Sequence, residues 1–207
     1  MRPTKVDSQG YTFDLGGKSV TFVRVSRVLD HYYPIVYGSD EAMERGSAIH
    51  KATGLLDGLE PGRTLDWDTL DESLHGYVRA WERWKRESLA GGLKHSLLVD
   101  IKSGVPDPRH QLQTAAYKLA FRQEARQASV ERFVYHPVLR YAGTLDRFYL
   151  GQRKPDMIRR ACVYLRADGE YRMVWHDDPS DEAAFAGLVQ AYHWDQKYAP
   201  KRGNLWS

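Results

Sequence analysis

Cysteine is almost missing from this sequence: the 207 residues hold one, Cys162. A single thiol excludes a disulfide framework and a four-cysteine zinc or iron–sulfur site built within the chain. It also fits a reducing cytoplasm. Long apolar runs are lacking too, and no stretch approaches the roughly 20 apolar residues a membrane helix needs. The opening MRPTKVDSQG holds no apolar block, which argues against a secretory signal. These absences predict a cytoplasmic chain without membrane contact. Charge imbalance is slight, with 30 Lys and Arg against 27 Asp and Glu. That is compatible with a polyanionic partner without requiring one. Internal repeats, low-complexity tracts and linkers are absent as well. With 42% hydrophobic residues, the length supports one sizeable core. One domain over 1–207 is expected: an N-terminal hairpin and short helix (1–38), a core (39–198) and a frayed tail (199–207).

What the sequence does contain is a changing hydrophobic period. YTFDLGGKSVTFVRVSRVLDHYY predicts a hairpin turning at Gly16-Gly17, then a short helix. SDEAMERGSAIHKATGLLDG predicts a helix with an acidic first turn and a glycine past its end. After the loop PGRTLDWD, Thr69 and Glu72 read as a capping box. Leu70, Leu74, Tyr77, Val78, Trp81 and Trp84 then share one face of a helix ending near Ser88. LLVDIKSG reads as a short strand, VPDPRH as a loop and HQLQTAAYKLAFRQEAR as a third helix. SVERFVYHPVLRYAGTLDRFYLG alternates and predicts two strands bent at His136-Pro137. ACVYLRADGEYRMVWH predicts a hairpin turning at Asp168-Gly169. SDEAAFAGLVQAYHWDQKY predicts a final helix with Phe185, Leu188, Val189 and Tyr192 inward. The expected class is α+β, a mixed sheet flanked by helices.

Four places carry chemistry. In LLVDIKSG, Asp100 and Lys102 lie two apart on a strand and share a face, while Ile101 points into the core. The pair reads either as an edge ion pair or as part of a cation site. A hard divalent ion needs several oxygen ligands, so a second acid is required. Asp146 stands in the apolar and aromatic strand YAGTLDRFYL, just past Gly143, and a strand glycine admits a close neighbour. It reads as a ligand or as the partner of Arg147 or Arg140. Gly46 and His50 share a helical face. A mid-helix glycine costs about 1 kcal/mol relative to alanine, so something is expected to pass close by. His50 reads as a ligand reaching the same place or as a packing residue. Gln113 and Tyr117 share a face across two alanines, as a polar pair or as part of an ordinary half-buried helix.

Together these stretches resemble the RecB-like branch of the PD-(D/E)XK nuclease superfamily. The motifs are Gly46-Ser47-Ala48-Ile49-His50, Gly143-Thr144-Leu145-Asp146, Asp100-Ile101-Lys102 and Gln113-Thr114-Ala115-Ala116-Tyr117. Each is weak alone; the set is specific, covers about Tyr11 to Tyr198, and looks most like small phage or bacterial exonucleases. The resemblance implies a restriction-endonuclease-like α/β/α arrangement. It implies that His50, Asp146, Asp100 and the carbonyl of Ile101 bind Mg2+ or Mn2+. It implies that Lys102 serves the attacking water, and that Gln113 and Tyr117 steer the substrate strand or the lysine. DNA, as single strands or duplex ends, would be the partner, and the branch also admits a recombination or repair protein. Relatives in CRISPR spacer acquisition add cysteines for an iron–sulfur cluster; with Cys162 alone, none is expected. The order departs from the family, where the G-x-x-D hairpin precedes D-x-K. Here it follows the Q-x-x-x-Y helix, so the same sheet is expected with permuted wiring.

Pro106-Asp107 and Pro155-Asp156 follow Lys102 in loops and are assigned no catalytic role. Arg45, Lys51, Arg109, Arg122, Arg140 and Arg147 form a pool of candidate substrate-binding cations. Tyr32, Tyr33 and Trp67 are candidates for base stacking. Glu131 is a candidate extra acid. The competing reading is a catalytically silent nucleic-acid-binding module or scaffold with a nuclease fold.

Overall fold

The computed structural model describes residues 4–7, 10–15, 17–34, 39–124 and 132–198. The chain begins with β1 (Lys5–Val6), β2 (Gly10–Leu15), β3 (Lys18–Arg24) and α1 (Val25–Tyr32). Next come α2 (Asp40–Leu56), α3 (Glu72–Leu89), β4 (His95–Lys102) and α4 (Pro108–Glu124). Strands β5 (Arg132–His136), β6 (Tyr141–Leu145), β7 (Arg147–Tyr149), β8 (Lys154–Leu165) and β9 (Tyr171–Trp175) lead to α5 (Asp181–Tyr198). The class is α+β, and the single expected sheet is two. One is ordered β1-β2-β3-β6-β5, the other β7-β4-β8-β9. The N-terminal hairpin is part of the first sheet, because β3 pairs parallel to β6. Among the described residues, no helix is long and apolar enough to cross a membrane.

Local chemistry explains the helix starts. Ser39 caps α2 by accepting the Ala42 N–H at 3.2 Å, and Asp40 and Glu41 face the positive end of its dipole. The cap of α3 is Asp71, which accepts the Ser73 N–H at 2.9 Å; the Thr69 capping box does not form. Thr69 donates instead to the carbonyl of Asp66. Helix α4 starts at Pro108, earlier than the expected His110, because proline suits a first helical position and Asp107 accepts the Arg109 N–H.

Strand β4 is central, parallel to β8 and antiparallel to β7. Its alternation decides the layers. Leu97, Val99 and Ile101 pack with Ile49, Trp81 and Trp84 from α2 and α3. Each such fully buried side chain contributes roughly 1.5–3 kcal/mol. Trp81 and Trp84 stack with centroids 4.7 Å apart. On the other face, Leu98 packs with Ala116, Tyr117, Ala120 and Phe121 of α4. Asp100 and Lys102 share the Leu98 parity and so lie under α4.

The segment expected to give two strands gives three. His136-Pro137 begins the turn before β6, which Arg140 closes with a left-handed φ of 54°. The chain then breaks at Asp146: β6 belongs to the first sheet and β7 to the second. Glu131 and the tail 199–207 lie outside the described residues.

Candidate active site

The sheet change places Asp146. Strand β7 pairs with β4 as Leu97 with Tyr149, Leu98 with Phe148 and Val99 with Arg147. Continuing that register by one residue sets Asp146 level with Asp100. One carboxylate oxygen of Asp146 accepts the backbone N–H of Ile101 at 2.7 Å. The other lies 3.5 Å from Nδ1 of His50, which α2 delivers.

On the opposite side of Ile101, the Lys102 ammonium is 2.8 Å from Asp100 and donates to Oε1 of Gln113 at 3.0 Å. Gln113 donates in turn to the Tyr117 hydroxyl at 2.8 Å. The pairing of Asp100 with Lys102 is buried, with Asp100 only 2% exposed, rather than an ion pair at an open edge. Gly143 is explained by Tyr117: a Cβ there would sit 2.6 Å from the tyrosine ring carbon Cε1. At Gly46 the expected close neighbour is absent. An added Cβ would meet only Ser103 Oγ, at an ordinary 3.7 Å. Gly46 leaves the surface beside His50 open.

A groove of about 540 Å3 runs along Ser47, His50, Lys51, Gly54, Leu59 and Glu60 to Asp146. The groove reaches Asp146 from the His50 side, while Lys102 lies half-buried under α4.

The electrostatics follow from two buried acids sharing few cations. Burial pushes the Asp146 carboxyl up to about 6; His50 opposes this and Asp100 adds to it. Burial also raises Asp100, but the Lys102 ammonium outweighs it and holds that carboxyl below its usual range. Lys102 is lowered by burial and raised more by Asp100 and Asp146, so it keeps its proton. Burial raises the Tyr117 phenol well above its usual value.

Among the described residues, no group of three His, Cys, Asp or Glu side chains is gathered so as to hold a metal ion. One oxygen of Asp100 is occupied by Lys102 and by Cys162 Sγ at 3.6 Å. The donor types nonetheless fit a hard divalent cation: two carboxylates, an imidazole and a strand carbonyl. The buried Asp146, raised for want of compensating charge, is where such an ion would be stabilised most. Seating it against that Asp100 oxygen would require Lys102 to leave it and keep only its bond to Gln113.

Several residues read from sequence are placed elsewhere. Arg147 is not a substrate cation: it is 3% exposed, and its Nε donates to Asp57 at 2.7 Å. It also donates to the carbonyl of Asp146 at 2.8 Å and lies over the Trp81 ring. Neither Arg147 nor Arg140 pairs with the Asp146 carboxylate. Arg109 is held by Asp107 at 2.8 Å and by Asp30 at 3.5 Å. Tyr32 donates to Asp195, and Trp67 packs edge-on against His75. Arg45, Lys51, Arg140 and Tyr33 are exposed. The side chains of Arg122 and Asp156 lie outside the described residues. The sequence reading missed Asp57, which also accepts from Trp81 and Lys85 and so anchors Arg147 beneath Asp146. It missed the β8 residues Cys162 and Tyr164, which register opposite Asp100 and Lys102. It missed His110, although His110 lies one turn before Gln113 on the same helical face.

Comparison of the chain with protein-family models, with curated proteins and with solved structures gave no match in any of the three.

Proposed function

We propose that the protein is a metal-dependent nuclease of the RecB-like PD-(D/E)XK kind, hydrolysing phosphodiester bonds of DNA from ends or in single strands. One observation carries this reading. Asp146 stands at the head of β7, the strand beside Asp100-Ile101-Lys102, with His50 on its open side, although the segment bearing it comes late in the chain. The β7-β4-β8-β9 sheet between α3 and α4 supports a restriction-endonuclease-like core with permuted strand order.

His50, Asp146, Asp100 and the Ile101 carbonyl would hold Mg2+ or Mn2+. Such an ion polarises a phosphoryl oxygen and lowers the pKa of a bound water. The chain's own residues do the rest. Lys102, protonated and tethered to Gln113, is a fixed positive donor for the attacking oxygen and the developing phosphorane charge. It therefore acts by electrostatics rather than as a base. Tyr117, wedged on Gly143, fixes Gln113 and through it the lysine. Lys51, exposed on the groove wall, is placed to meet the strand's phosphates. DNA is the partner this implies, with a recombination or repair protein as a further partner of the branch.

The second reading, a silent nucleic-acid-binding module or scaffold, is favoured by one feature: Lys102 already neutralises Asp100 at 2.8 Å. Labelled single-stranded and duplex DNA, incubated with Mn2+, with Mg2+ and with chelator, separates the two. Cleavage abolished by chelator, restored by metal and lost in Lys102→Ala supports the nuclease. Metal-independent inertness with retained binding supports the silent module.

A further inference from the structure

The polar face under α4 extends past Lys102. Tyr164 registers opposite Lys102 on β8, and its hydroxyl lies 2.8 Å from Nδ1 of His110. Neighbouring strands run about 4.8 Å apart, so Tyr164 flanks Lys102 directly. His110, Gln113 and Tyr117 occupy one face of α4. The latter two are committed inward to Lys102 and to each other. His110 lies one turn nearer the start of α4, half-buried, where the chain has just left the end of β4.

The Tyr164 hydroxyl also meets the Cys162 thiol and the Asp107 backbone N–H; of these neighbours the imidazole nitrogen is the best acceptor for its proton, and we assign Tyr164 as donor to Nδ1 on that ground. The imidazole proton then sits on Nε2, for which no partner exists among the described residues. Burial, and Lys102 nearby, hold His110 down to about 4, so it is neutral near pH 7. A neutral donor beside a lysine suits an anion's oxygen without adding charge to a crowded site.

We infer that His110 is a further substrate-contacting residue: held by Tyr164, it donates from Nε2 to a phosphate oxygen of the nucleic-acid strand beside Lys102. This rests on the nuclease reading for the identity of the strand, and it adds a residue outside the four motifs. The bland alternative is that His110 and Tyr164 only pin α4 to β8.

The test compares wild type, His110→Ala, His110→Gln and Tyr164→Phe. Readouts are cleavage of a labelled single-stranded oligonucleotide with Mn2+, its binding by fluorescence anisotropy with Ca2+ in place of Mn2+, and thermal stability. A lost hydrogen bond to a charged group predicts that His110→Ala weakens binding and raises KM by about tenfold to a hundredfold. His110→Gln, which keeps an N–H at similar reach, should recover most of that. Tyr164→Phe, which loses the anchor but not the donor, should fall between. If wild type binds without cutting, the catalytic reading fails, while weaker binding by His110→Ala alone still supports the contact. If wild type cuts, and His110→Ala binds and turns over like it with only a lower Tm, the inference is overturned and the nuclease reading stands. If wild type neither binds nor cuts, both fall.

Discussion

Asp146 accepts the backbone N–H of Ile101 at 2.7 Å across the junction of two sheets. That single hydrogen bond ties the strand end carrying one acid to the strand carrying the other acid and the lysine. It also keeps a carboxylate buried beside another carboxylate, and most of the site's predicted behaviour comes from this arrangement.

A pH dependence follows directly. Asp146 has its carboxyl raised to about 6, so the folded protein holds a proton that the unfolded chain releases at lower pH. Between the ordinary aspartate range and about 6, stability therefore falls as pH rises, and the penalty is fully present above about 6. For a shift of this size it is on the order of 3 kcal/mol. Asp146→Asn, which can still accept from Ile101, should remove that slope and match or exceed wild type in stability at pH 7.5. On the nuclease reading, in which Asp146 would be a metal ligand, the variant's activity should fall more than about a hundredfold. Mn2+ should raise the Tm of wild type more at pH 7.5 than at pH 5, and raise that of Asp146→Asn little at either. Denaturant titrations at the two pH values, with and without Mn2+, check all three statements.

Lys102 has a structural role whatever its proposed chemistry. Removing it leaves Asp100, 2% exposed, without its cation. Breaking a buried pair from one side costs about 3–5 kcal/mol, whereas replacing both partners by apolar groups of similar volume is often neutral. Lys102→Met should be strongly destabilised, and Asp100→Leu with Lys102→Met should recover most of the loss while remaining inactive. Urea unfolding of both variants measures this; equal stability of the single and double variants would show that the pair is not coupled.

Much of this frame was legible in the sequence because it depends on period and caps. Alternation put Asp100 and Lys102 on one face, and Gly58 and Gly169 mark a helix end and a hairpin turn, both at positive φ. The junction at Asp146 was not legible. YAGTLDRFYL holds no proline or turn pair at Asp146, so it reads as one strand, and only pairing with β3 on one side and β4 on the other divides it. Arg147 looked like a surface cation because nothing in its own segment announces Asp57, which arrives from the end of α2. Thr69 and Asp71 both satisfy a cap pattern, and local sequence does not rank them. The roles of Cys162 and Tyr164 depend on the β8 register, a property of the assembled sheet.

Gly143 offers a steric test of how far Tyr117 governs the site. A Cβ at this position meets Tyr117 Cε1 at 2.6 Å and Val25 Cγ2 at 3.2 Å, and the first distance is too short to persist. Gly143→Ala must therefore displace the ring, which breaks the Gln113–Tyr117 bond and frees Lys102. The expected loss is about 1–3 kcal/mol, typical of overpacking, with kcat reduced more than KM. Adding Tyr117→Leu should make room and restore stability but not activity. Activity restored by the double variant would detach Tyr117 from the placement of the lysine.

Gly46 predicts the opposite sign. Its added Cβ would make only an ordinary 3.7 Å contact with Ser103 Oγ, so nothing in the protein opposes alanine. It lies inside α2, where glycine is worse than alanine by about 1 kcal/mol. Gly46→Ala should therefore raise the unfolding free energy by roughly that amount. If the open surface beside His50 admits the scissile strand, the extra methyl should also raise KM for DNA severalfold, and Gly46→Leu should raise it much further. Thermal melts and steady-state kinetics on one oligonucleotide read both effects. A variant that gains stability and keeps the wild-type KM would mean that the strand approaches along Lys51 and Glu60 without crossing Gly46.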